Sequence, residues 1–499
     1  MVANKLARAS VGWDQRRFAA PAHHHDGRFH DGGPALEASL SHPTLKMAMA
    51  LPVASPISRE FVRCVLLVAI LVAVVKSEDL KTARAADANA ADAVNVMWRF
   101  DGSGRFPNIH PPSEWRMDRN VLWKTPVAIG GYSSPIVVGN KIFVTAEMGS
   151  LICLDIADGK ILWQKDLFSP DSRDIPAGLS KKLMRGCGGD SKQSTPTPTS
   201  NGELVFYINA MGLCACYDLR GNQQWIRIIE TAEEEEYFSS SPIFTGDRII
   251  LTWGCLLALN AKDGSTRWKA ADAKPTHGTP AITTIGGVEV AITPAGDIVS
   301  LAKGEILCAG LFESTFTTPL VEGNVVYLID GKARALQLPA KAESGMRLSE
   351  LWKTRLKGAF MASPIYRDGL IYTIESQKCR LHIIDAKTGA VLPVPGGGGG
   401  ADRGGDEAIK TEAIESGLKI DGLTRAQFAY ASPVATEKQV FFFDDAGNTA
   451  VFELGRDYKL AHLNKLDGGF VGTPFFVKDK IIIRGTETVY CIGEKPTKD

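Results

Sequence analysis

The chain has 499 residues, with 56 lysines and arginines against 56 aspartates and glutamates. This balance creates no overall field that would attract nucleic acid or an anionic membrane, so ligands recognised mainly by net charge are excluded. Hydrophobic residues make up 44% and charged residues 22% of the sequence. These proportions are typical of a soluble globular protein.

The N-terminal region predicts export. Arg59 and Arg63 precede an apolar run, Cys64–Val75, and a small-residue cleavage pattern follows at Ala83–Ala85. A basic stretch, a short apolar stretch and such a site together make a secretory signal peptide. The apolar run is too short for a stable membrane span, which needs about 20 residues. Cys64 lacks the small-residue context of a lipoprotein cleavage site, which disfavours a lipid anchor.

These signals divide the chain into five parts. Residues 1–46 are a non-structural extension or a mis-assigned start, in which case Met47 or Met49 is the true first residue. Residues 47–85 are the signal peptide, cleaved near Ala85; residues 86–95 are a linker, 96–493 the folded domain and 494–499 a tail. We expect the mature protein to be monomeric, periplasmic or extracellular, and without a membrane span. Four histidines of the extension are not expected to bind metal: His23, His24, His25 and His30.

A repeated unit fills the remaining sequence. Each copy begins with Ser-Pro or Thr-Pro, followed by an apolar run, a turn and a second apolar run. The eight copies lie about 48 residues apart on average and begin at Ser134-Pro135, Thr195-Pro196, Ser241-Pro242, Thr279-Pro280, Thr318-Pro319, Ser363-Pro364, Ser432-Pro433 and Thr473-Pro474. Runs of β-branched and aromatic residues bounded by Gly, Asn and Asp are typical of strands joined by tight turns.

A second element follows in most copies. It consists of an apolar triplet ending near Asp or Asn, then a glycine turn, then an apolar pair and a tryptophan. The tryptophans are Trp123, Trp163, Trp225, Trp268 and Trp352, whereas Cys308 and Pro393 replace them in the fourth and sixth copies, where we expect weaker contacts between units. Four strands per unit, repeated eight times, predict an all-β, eight-bladed β-propeller with four-stranded antiparallel blades.

The sequence also predicts how the ring closes. Val121-Leu122-Trp123 has the pattern of a fourth strand but has no unit before it. The eighth unit ends at Ile492 without a tryptophan strand after it. We therefore expect residues 121–125 to complete the last blade, which removes the exposed edges of an open array.

The units resemble the PQQ-like β-propeller repeat of quinoprotein alcohol dehydrogenases and of the outer-membrane-assembly propeller lipoprotein. The stretches Ser134–Trp163 and Ser363–Leu392 carry the likeness, which extends over about residues 96–493. The lead-in, Trp98–Gly102 followed by Glu114-Trp115 and Val121–Lys124, is similar to that of a PQQ-like subfamily of large exported bacterial proteins. The resemblance implies that each tryptophan strand docks against the next blade.

The cysteines predict buried free thiols. Cys153, Cys216 and Cys491 occupy one position of the repeat, which holds alanine in other copies. A position that accepts cysteine or alanine is typical of a small core site. Cys214 and Cys216 lie on one face of a strand, a weak pattern for a metal site, and Cys187 is the expected exposed thiol.

Two insertions interrupt the spacing, at residues 166–193 and 395–425. Long loops in compact domains are usually functional or disordered. The glycine run 396–400 indicates a flexible linker, and we expect disorder over 395–405. The acidic run Glu233–Glu236 is interpreted as a solvated loop.

Two functions remain open. The first is a non-catalytic, exported binding or scaffolding platform for a protein, peptide or glycan. The alternative is a PQQ-dependent quinoprotein dehydrogenase acting on an alcohol or sugar, with PQQ and calcium as cofactors. The resemblance implies that such enzymes carry a pair of adjacent cysteines over the quinone, and the sequence contains no such pair. We therefore favour the platform and assign no catalytic, cofactor-binding or metal-binding residue.

Overall fold

The computed structural model of the protein describes residues 95–494, apart from 128–129, 131, 148, 168–194, 210–211, 230–238, 396–416, 421–422 and 424–428. The chain divides into two units, 1–74 and 75–499, and every described residue belongs to the second. The predicted extension and signal peptide therefore lie outside the described residues. Within the described residues there are 32 strands and no α-helix, and hence no helix suited to crossing a membrane.

The strands form eight four-stranded antiparallel sheets, which we call blades one to eight. Apart from β1 (Val121–Pro126), they follow one another along the chain. Blade one contains β2 (Ile136–Val138), β3 (Lys141–Ala146), β4 (Ser150–Asp155) and β5 (Ile161–Asp166). Blade two contains β6 (Thr199–Ser200), β7 (Leu204–Ile208), β8 (Leu213–Asp218) and β9 (Gln223–Ile228). Blade three contains β10 (Ile243–Thr245), β11 (Arg248–Trp253), β12 (Cys255–Asn260) and β13 (Thr266–Ala270).

The next three blades repeat this order. Blade four contains β14 (Ala281–Ile285), β15 (Val288–Ile292), β16 (Ile298–Ser300) and β17 (Ile306–Cys308). Blade five contains β18 (Leu320–Glu322), β19 (Val325–Ile329), β20 (Lys332–Gln337) and β21 (Ser349–Arg355). Blade six contains β22 (Ile365–Arg367), β23 (Leu370–Glu375), β24 (Arg380–Asp385) and β25 (Leu418–Lys419).

The last two blades complete the eight-bladed β-propeller and confirm the predicted closure. Blade seven contains β26 (Val434–Ala435), β27 (Gln439–Phe443), β28 (Asn448–Glu453) and β29 (Leu460–Lys465). Blade eight contains β30 (Phe475–Val477), β31 (Lys480–Arg484), β32 (Thr488–Ile492) and, as its fourth strand, β1. Strand β1 pairs with β32 from Val121 opposite Ile492 to Pro126 opposite Thr488. The first described strand thus covers the edge of the last blade.

The hydrophobic core lies between neighbouring blades. One cluster joins Cys214 and Cys216 of blade two to Ile249 and Leu257 of blade three. Similar clusters fill other contacts between neighbouring blades, which we call seams. A single blade has too little apolar surface to enclose such a cluster by itself. Closing the ring is therefore the step that removes these faces from water.

Five tryptophans fasten five seams in the same way. Each lies in the fourth strand of its blade and packs on the glycine of the turn between the third and fourth strands of the next blade. A Cβ placed on Gly264, for example, would lie 2.6 Å from the ring of Trp225, and the Trp225 Nε1 donates to the carbonyl oxygen of Ala261 at 2.8 Å. The other four pairs are Trp123–Gly159, Trp163–Gly221, Trp268–Gly304 and Trp352–Gly389. Docking on the next blade is thereby confirmed.

Three seams have no such tryptophan. Cys308 takes its position in blade four, as predicted, because it pairs with Ile298 where Trp163 pairs with Cys153 in blade one. His462 takes the position in blade seven, a replacement that the repeat pattern did not reveal. In the other seams the tryptophan packs on the turn between the third and fourth strands of the next blade. Blade eight, which follows blade seven, has no such turn, because its third and fourth strands, β32 and β1, are far apart in sequence.

Blade six differs from its prediction. Val391 bridges Ile384, and the chain then leaves the sheet before Pro393 can align with a third-strand partner. The fourth strand is instead β25, whose Leu418 and Lys419 pair with Leu381 and Arg380. The predicted insertion 395–425 therefore includes two residues of the sheet. Proline has no N–H to donate to the sheet, which explains why the strand breaks there.

A ring of hydroxyl groups links the inner ends of the blades. The members of this hydroxyl ring are Ser134, Thr197, Ser241, Thr279, Thr318, Ser363, Ser432 and Thr473. Except at Thr279, the backbone N–H of each member donates to the hydroxyl of the next: Ser134 to Thr197, Thr197 to Ser241, Ser241 to Thr279, Thr318 to Ser363, Ser363 to Ser432, Ser432 to Thr473, and Thr473 back to Ser134. Seven of the eight seams are closed in this way.

The hydroxyl ring corrects the predicted start of the second unit. Thr195-Pro196 was assigned to it, but Thr197-Pro198 occupies the equivalent position, directly before β6. The sequence from Thr195 to Thr199 contains two Thr-Pro pairs in succession. Only the pairing between blades distinguishes them, because Thr197 is the residue that accepts from Ser134 and donates to Ser241.

Candidate binding surface

The two ends of the ring differ in what they carry. Because strands alternate in direction within a blade, the turns between second and third strands lie at the same end as the connections between blades. We call this end the connection face; residues 309–317 and 356–362 are two of its connections. The opposite end carries the turns between first and second strands, such as residues 139–140 and 323–324. We call it the lead-in face for the reason that follows.

Residues 96–110 cross the lead-in face and contact blades two, five, seven and eight there. Val96 exchanges two backbone hydrogen bonds of 2.8 Å with Ser200 of blade two. Phe106 donates its N–H to Ala435 of blade seven, and Arg105 Nη1 lies 2.7 Å from Glu322 Oε2 of blade five. His110 reaches blade eight through a backbone bond to Lys478. This segment therefore covers the end of the central channel.

Part of the same segment enters the channel. Arg99 is 1% exposed, and its Nη2 donates to the carbonyl oxygens of Pro364 and Pro433 at 3.0 and 2.9 Å. These prolines directly follow two members of the hydroxyl ring. Burial lowers the pKa of Arg99 to about 9. The guanidinium also lies over the Trp98 ring, with Cζ 5.2 Å from the ring centre, which is a favourable arrangement for a cation.

The connection face carries a groove that runs over blades five and six. Its larger part has a volume of about 400 Å³. The lining comes from the connection before blade five, the β19–β20 turn and the connection to blade six: Phe312, Glu313, Ser314, Asp330, Gly331, Lys332, Arg355, Leu356, Lys357 and Gly358. A smaller part continues over blade six, lined by Lys357, Gly358, Glu375, Lys378 and Arg380. The two parts share Lys357 and Gly358.

The carboxylates of the groove serve the backbone around them. Glu375 is 2% exposed, and its two oxygens accept the N–H groups of Gln377 and Lys378 at 3.0 and 2.7 Å. Asp330 accepts the N–H of Gly331 at 2.6 Å, and desolvation raises the pKa of this carboxyl. Both residues therefore shape turns at the floor of the groove.

The thiols lie where the repeat predicted. Cys153, Cys216 and Cys491 are buried free thiols, each paired across the sheet with a fastening tryptophan. Burial raises the pKa of each of these three thiols to about 12. Cys214 and Cys216 belong to one hydrophobic cluster, and the Cys214 Sγ donates to the Arg227 carbonyl at 3.5 Å. Cys187 lies outside the described residues.

Calcium takes about six to eight oxygen ligands. Over the described part of the chain, no three residues of the His, Cys, Asp and Glu types are grouped so as to hold a metal ion. Within the channel, Arg99 is held by the carbonyl oxygens of blades six and seven.

No site residue was predicted from the sequence, because the residues that line the groove are far apart in the chain. Lys332 and Lys378 belong to different blades and come together only in the folded ring. The predicted insertion 166–193 begins too early, because Asp166 is the last residue of β5. Residues 168–193 of it, and the acidic run Glu233–Glu236, lie outside the described residues. The lead-in was identified from Trp98–Gly102, but nothing in those residues indicated that they would enter the channel.

Comparisons with known proteins agree with this architecture. A family model described as outer membrane protein assembly factor BamB matches residues 115–392. The BamB protein of Moranella endobia is 25% identical over 378 residues, which cover 70% of this chain and 82% of that protein. The BamB protein of Alkalilimnicola ehrlichii is 38% identical over 223 residues, 42% of this chain and 52% of that protein.

Solved structures show the same fold. The crystal structure of BamB from Moraxella catarrhalis superimposes with a TM-score of 0.51 at 11% identity, covering 76% of this chain and 98% of that one. A quinohemoprotein alcohol dehydrogenase from Pseudomonas putida superimposes with a TM-score of 0.50 at 12% identity, covering 83% and 82%. Because the family model matches more than half of the sequence, the chain belongs to the PQQ-like β-propeller family described as outer membrane protein assembly factor BamB.

Proposed function

We propose that the protein is exported and acts outside the cytoplasm as a non-catalytic platform that binds another protein during the assembly of outer membrane proteins. The observation that carries this proposal is the family match over residues 115–392, since the matching relatives are outer membrane protein assembly factors. The segment before the propeller supports export, because Arg59, Arg63 and the run Cys64–Val75 have the order of a signal peptide. We propose a mature chain that begins after Ala85.

The test is cross-linking in living cells. The full chain, tagged after Asp499, is cross-linked, purified under denaturing conditions and analysed by mass spectrometry. We expect an outer membrane protein, or a protein that assembles such proteins, to be recovered in a fixed ratio. A tagged exported protein of unrelated fold is the control. Retention of the uncleaved chain in the cytoplasm, or equal recovery with the control, would contradict the proposal.

We further propose that the platform works without a quinone or a metal ion and as a monomer. For the quinone, the support is the channel, into which Arg99 of the chain itself extends to the carbonyl oxygens of Pro364 and Pro433. Purified protein is mixed with PQQ and calcium, and absorbance, dye-linked oxidation of alcohols and sugars, and mass in solution are measured. Stoichiometric quinone binding with turnover would overturn this part of the proposal and favour the dehydrogenase.

A further inference from the structure

We propose that the groove on the connection face binds an acidic, extended segment of a partner polypeptide. This inference rests on the proposed function, because it names the chemistry of the partner that the platform would hold. Three properties of the groove carry it: the fixed backbone of its walls, the excess of positive charge, and its volume of about 400 Å³.

The backbone of the groove is held from both sides. Leu356 donates its N–H to Gly331 at 2.9 Å, which ties the connection to the β19–β20 turn. Ser376 donates its N–H to Ala359 at 2.8 Å and accepts from Met361 N at 2.9 Å, which ties the same connection to blade six. Binding a ligand therefore requires little ordering of the walls, and preformed sites lose less entropy on binding.

Gly358 fixes the ridge between the two parts of the groove. Its φ is +120°, a conformation that other residues rarely adopt. A Cβ at this position would lie 2.2 Å from Cγ of Glu375, whose buried side chain passes beneath the ridge. The close approach of Gly358 to the buried Glu375 side chain therefore forms the ridge, and this one contact shapes both parts of the groove.

Positive charge dominates the lining. Five basic side chains line the groove, Lys332, Arg355, Lys357, Lys378 and Arg380, against three acidic ones, Glu313, Asp330 and Glu375. Glu375 keeps its negative charge but is 2% exposed, and its oxygens accept backbone N–H groups, so a ligand does not contact it directly. The Lys332 Nζ to Glu313 Oε2 pair, at 3.3 Å, joins two side chains that are 69% and 81% exposed, so it contributes little and exchanges readily with water.

The form of the groove favours a peptide over a membrane. A volume of about 400 Å³ lies in the usual range of ligand sites, whereas a lipid surface is flat and meets a convex or planar face. In an extended peptide, alternate side chains point to the same side, about 7 Å apart. Two carboxylates of such a peptide can reach the basic groups on either side of Gly358.

The test uses the exported full chain and a fluorescein-labelled peptide in which glutamate alternates with glycine. Fluorescence anisotropy should show one peptide bound per protein, with affinity that falls as salt rises, because screened surface charges attract less. The same peptide with glutamine for glutamate should not bind. Lys332→Gln, Lys357→Gln and Lys378→Gln combined should raise the Kd about tenfold.

Two sets of control variants distinguish binding in the groove from a general effect of removing positive charge. Lys262→Gln, Lys303→Gln and Lys387→Gln combined remove three exposed lysines from turns of the lead-in face and should leave the Kd unchanged. Arginine at positions 332, 357 and 378 keeps the charge and should retain binding. Equal weakening by both glutamine triples, binding of the glutamine peptide, or binding of phosphatidylglycerol vesicles without the peptide would overturn the inference. If no peptide binds while cells still yield the cross-linked assembly partner, the groove fails and the proposed function stands.

Discussion

At the scale of single residues, the repeat acts through a tryptophan and a glycine on neighbouring blades. Burying a tryptophan side chain removes roughly 150–250 Å² from water. The docking glycine has two separate requirements: a positive φ in its own turn, and no side chain beneath the indole. In blade three, Gly264 meets both, with a φ of +71° and the Trp225 ring 2.6 Å from a Cβ.

Substitution can separate these two requirements. Gly264→Ala should lower the free energy of unfolding by about 2–4 kcal/mol, the sum of backbone strain and overpacking against Trp225. Gly246→Ala is the control, because Gly246 has a φ of +57° but nothing within 4 Å of its Cβ, so only the strain of about 1–2 kcal/mol remains. Urea denaturation of both variants measures the difference. Equal losses would contradict tryptophan docking as a separate contribution.

Residue patterns predicted the core positions that join neighbouring blades better than they predicted where each unit begins. Cys153, Cys216 and Cys491 were recognised as core positions because cysteine and alanine alternate there, and each proves to lie opposite a tryptophan. The start of the second unit was misassigned, because Thr195 and Thr197 both precede proline and only a contact with another blade selects one. His462 was missed because histidine has no resemblance to the residue that it replaces.

At the scale of elements, β1 has two roles. It supplies Trp123 for the seam between blades eight and one, and it covers the outer edge of β32. The residues before it hold the inner strands from the lead-in face, and Trp115 is fully buried against Phe441, with its backbone N–H donating to Oδ1 of Asn464. The chain before the first repeat therefore contacts the ring at three places: its inner strands, the middle of blade seven, and the outer edge of blade eight.

Stepwise deletion should reveal these contributions. Removal of residues through Val94 should leave the melting temperature unchanged, because, among the described residues, the contacts of the lead-in with the blades begin at Val96. Removal through Pro112 should lower the melting temperature by taking away the channel segment, and removal through Lys124 should cause aggregation by exposing β32. Scanning calorimetry and light scattering measure both effects. An unchanged melting curve after the longest deletion would refute the closure.

The groove is an element-scale feature that no stretch of sequence predicts. Its basic residues come from the ends of β20, β21 and β24, from the connection to blade six and from the β23–β24 turn, and each is unremarkable in its own repeat. The fold itself was predictable because the pattern recurs eight times, so single departures did not obscure it. A binding surface occurs once, and its members become neighbours only after the ring has closed.

At the scale of the whole molecule, the seams are unequal. Within the described residues, no hydrogen bond joins Thr279 to Thr318, and the Thr318 hydroxyl has no partner. The same seam, between blades four and five, has Cys308 instead of a tryptophan. Aliphatic packing that includes Leu338 and Met346, together with backbone bonds from His277 and Gly278 to Thr315, holds it closed.

We therefore expect this seam to open first. In native-state hydrogen exchange, amides of β14 and β18 should lose protection at lower denaturant than those of β6 and β10, whose seam has both Trp225 and the hydroxyl link from Thr197 to Ser241. Mass spectrometry of peptides from these four strands supplies the measurement. Simultaneous exchange of all four, or earlier exchange of β6 and β10, would contradict the ranking.

The pairing of β1 with β32 also decides how the protein can be handled. The N–H of Gly493 donates to the Asn120 carbonyl at 2.9 Å, so the chain enters and leaves the ring at one point of its circumference, on the lead-in face. A bead, dye or fusion partner joined behind Gly493 consequently sits on the side away from the basic groove. Immobilising the protein by its C-terminus would present the groove to solution, an orientation suited to measuring what it captures.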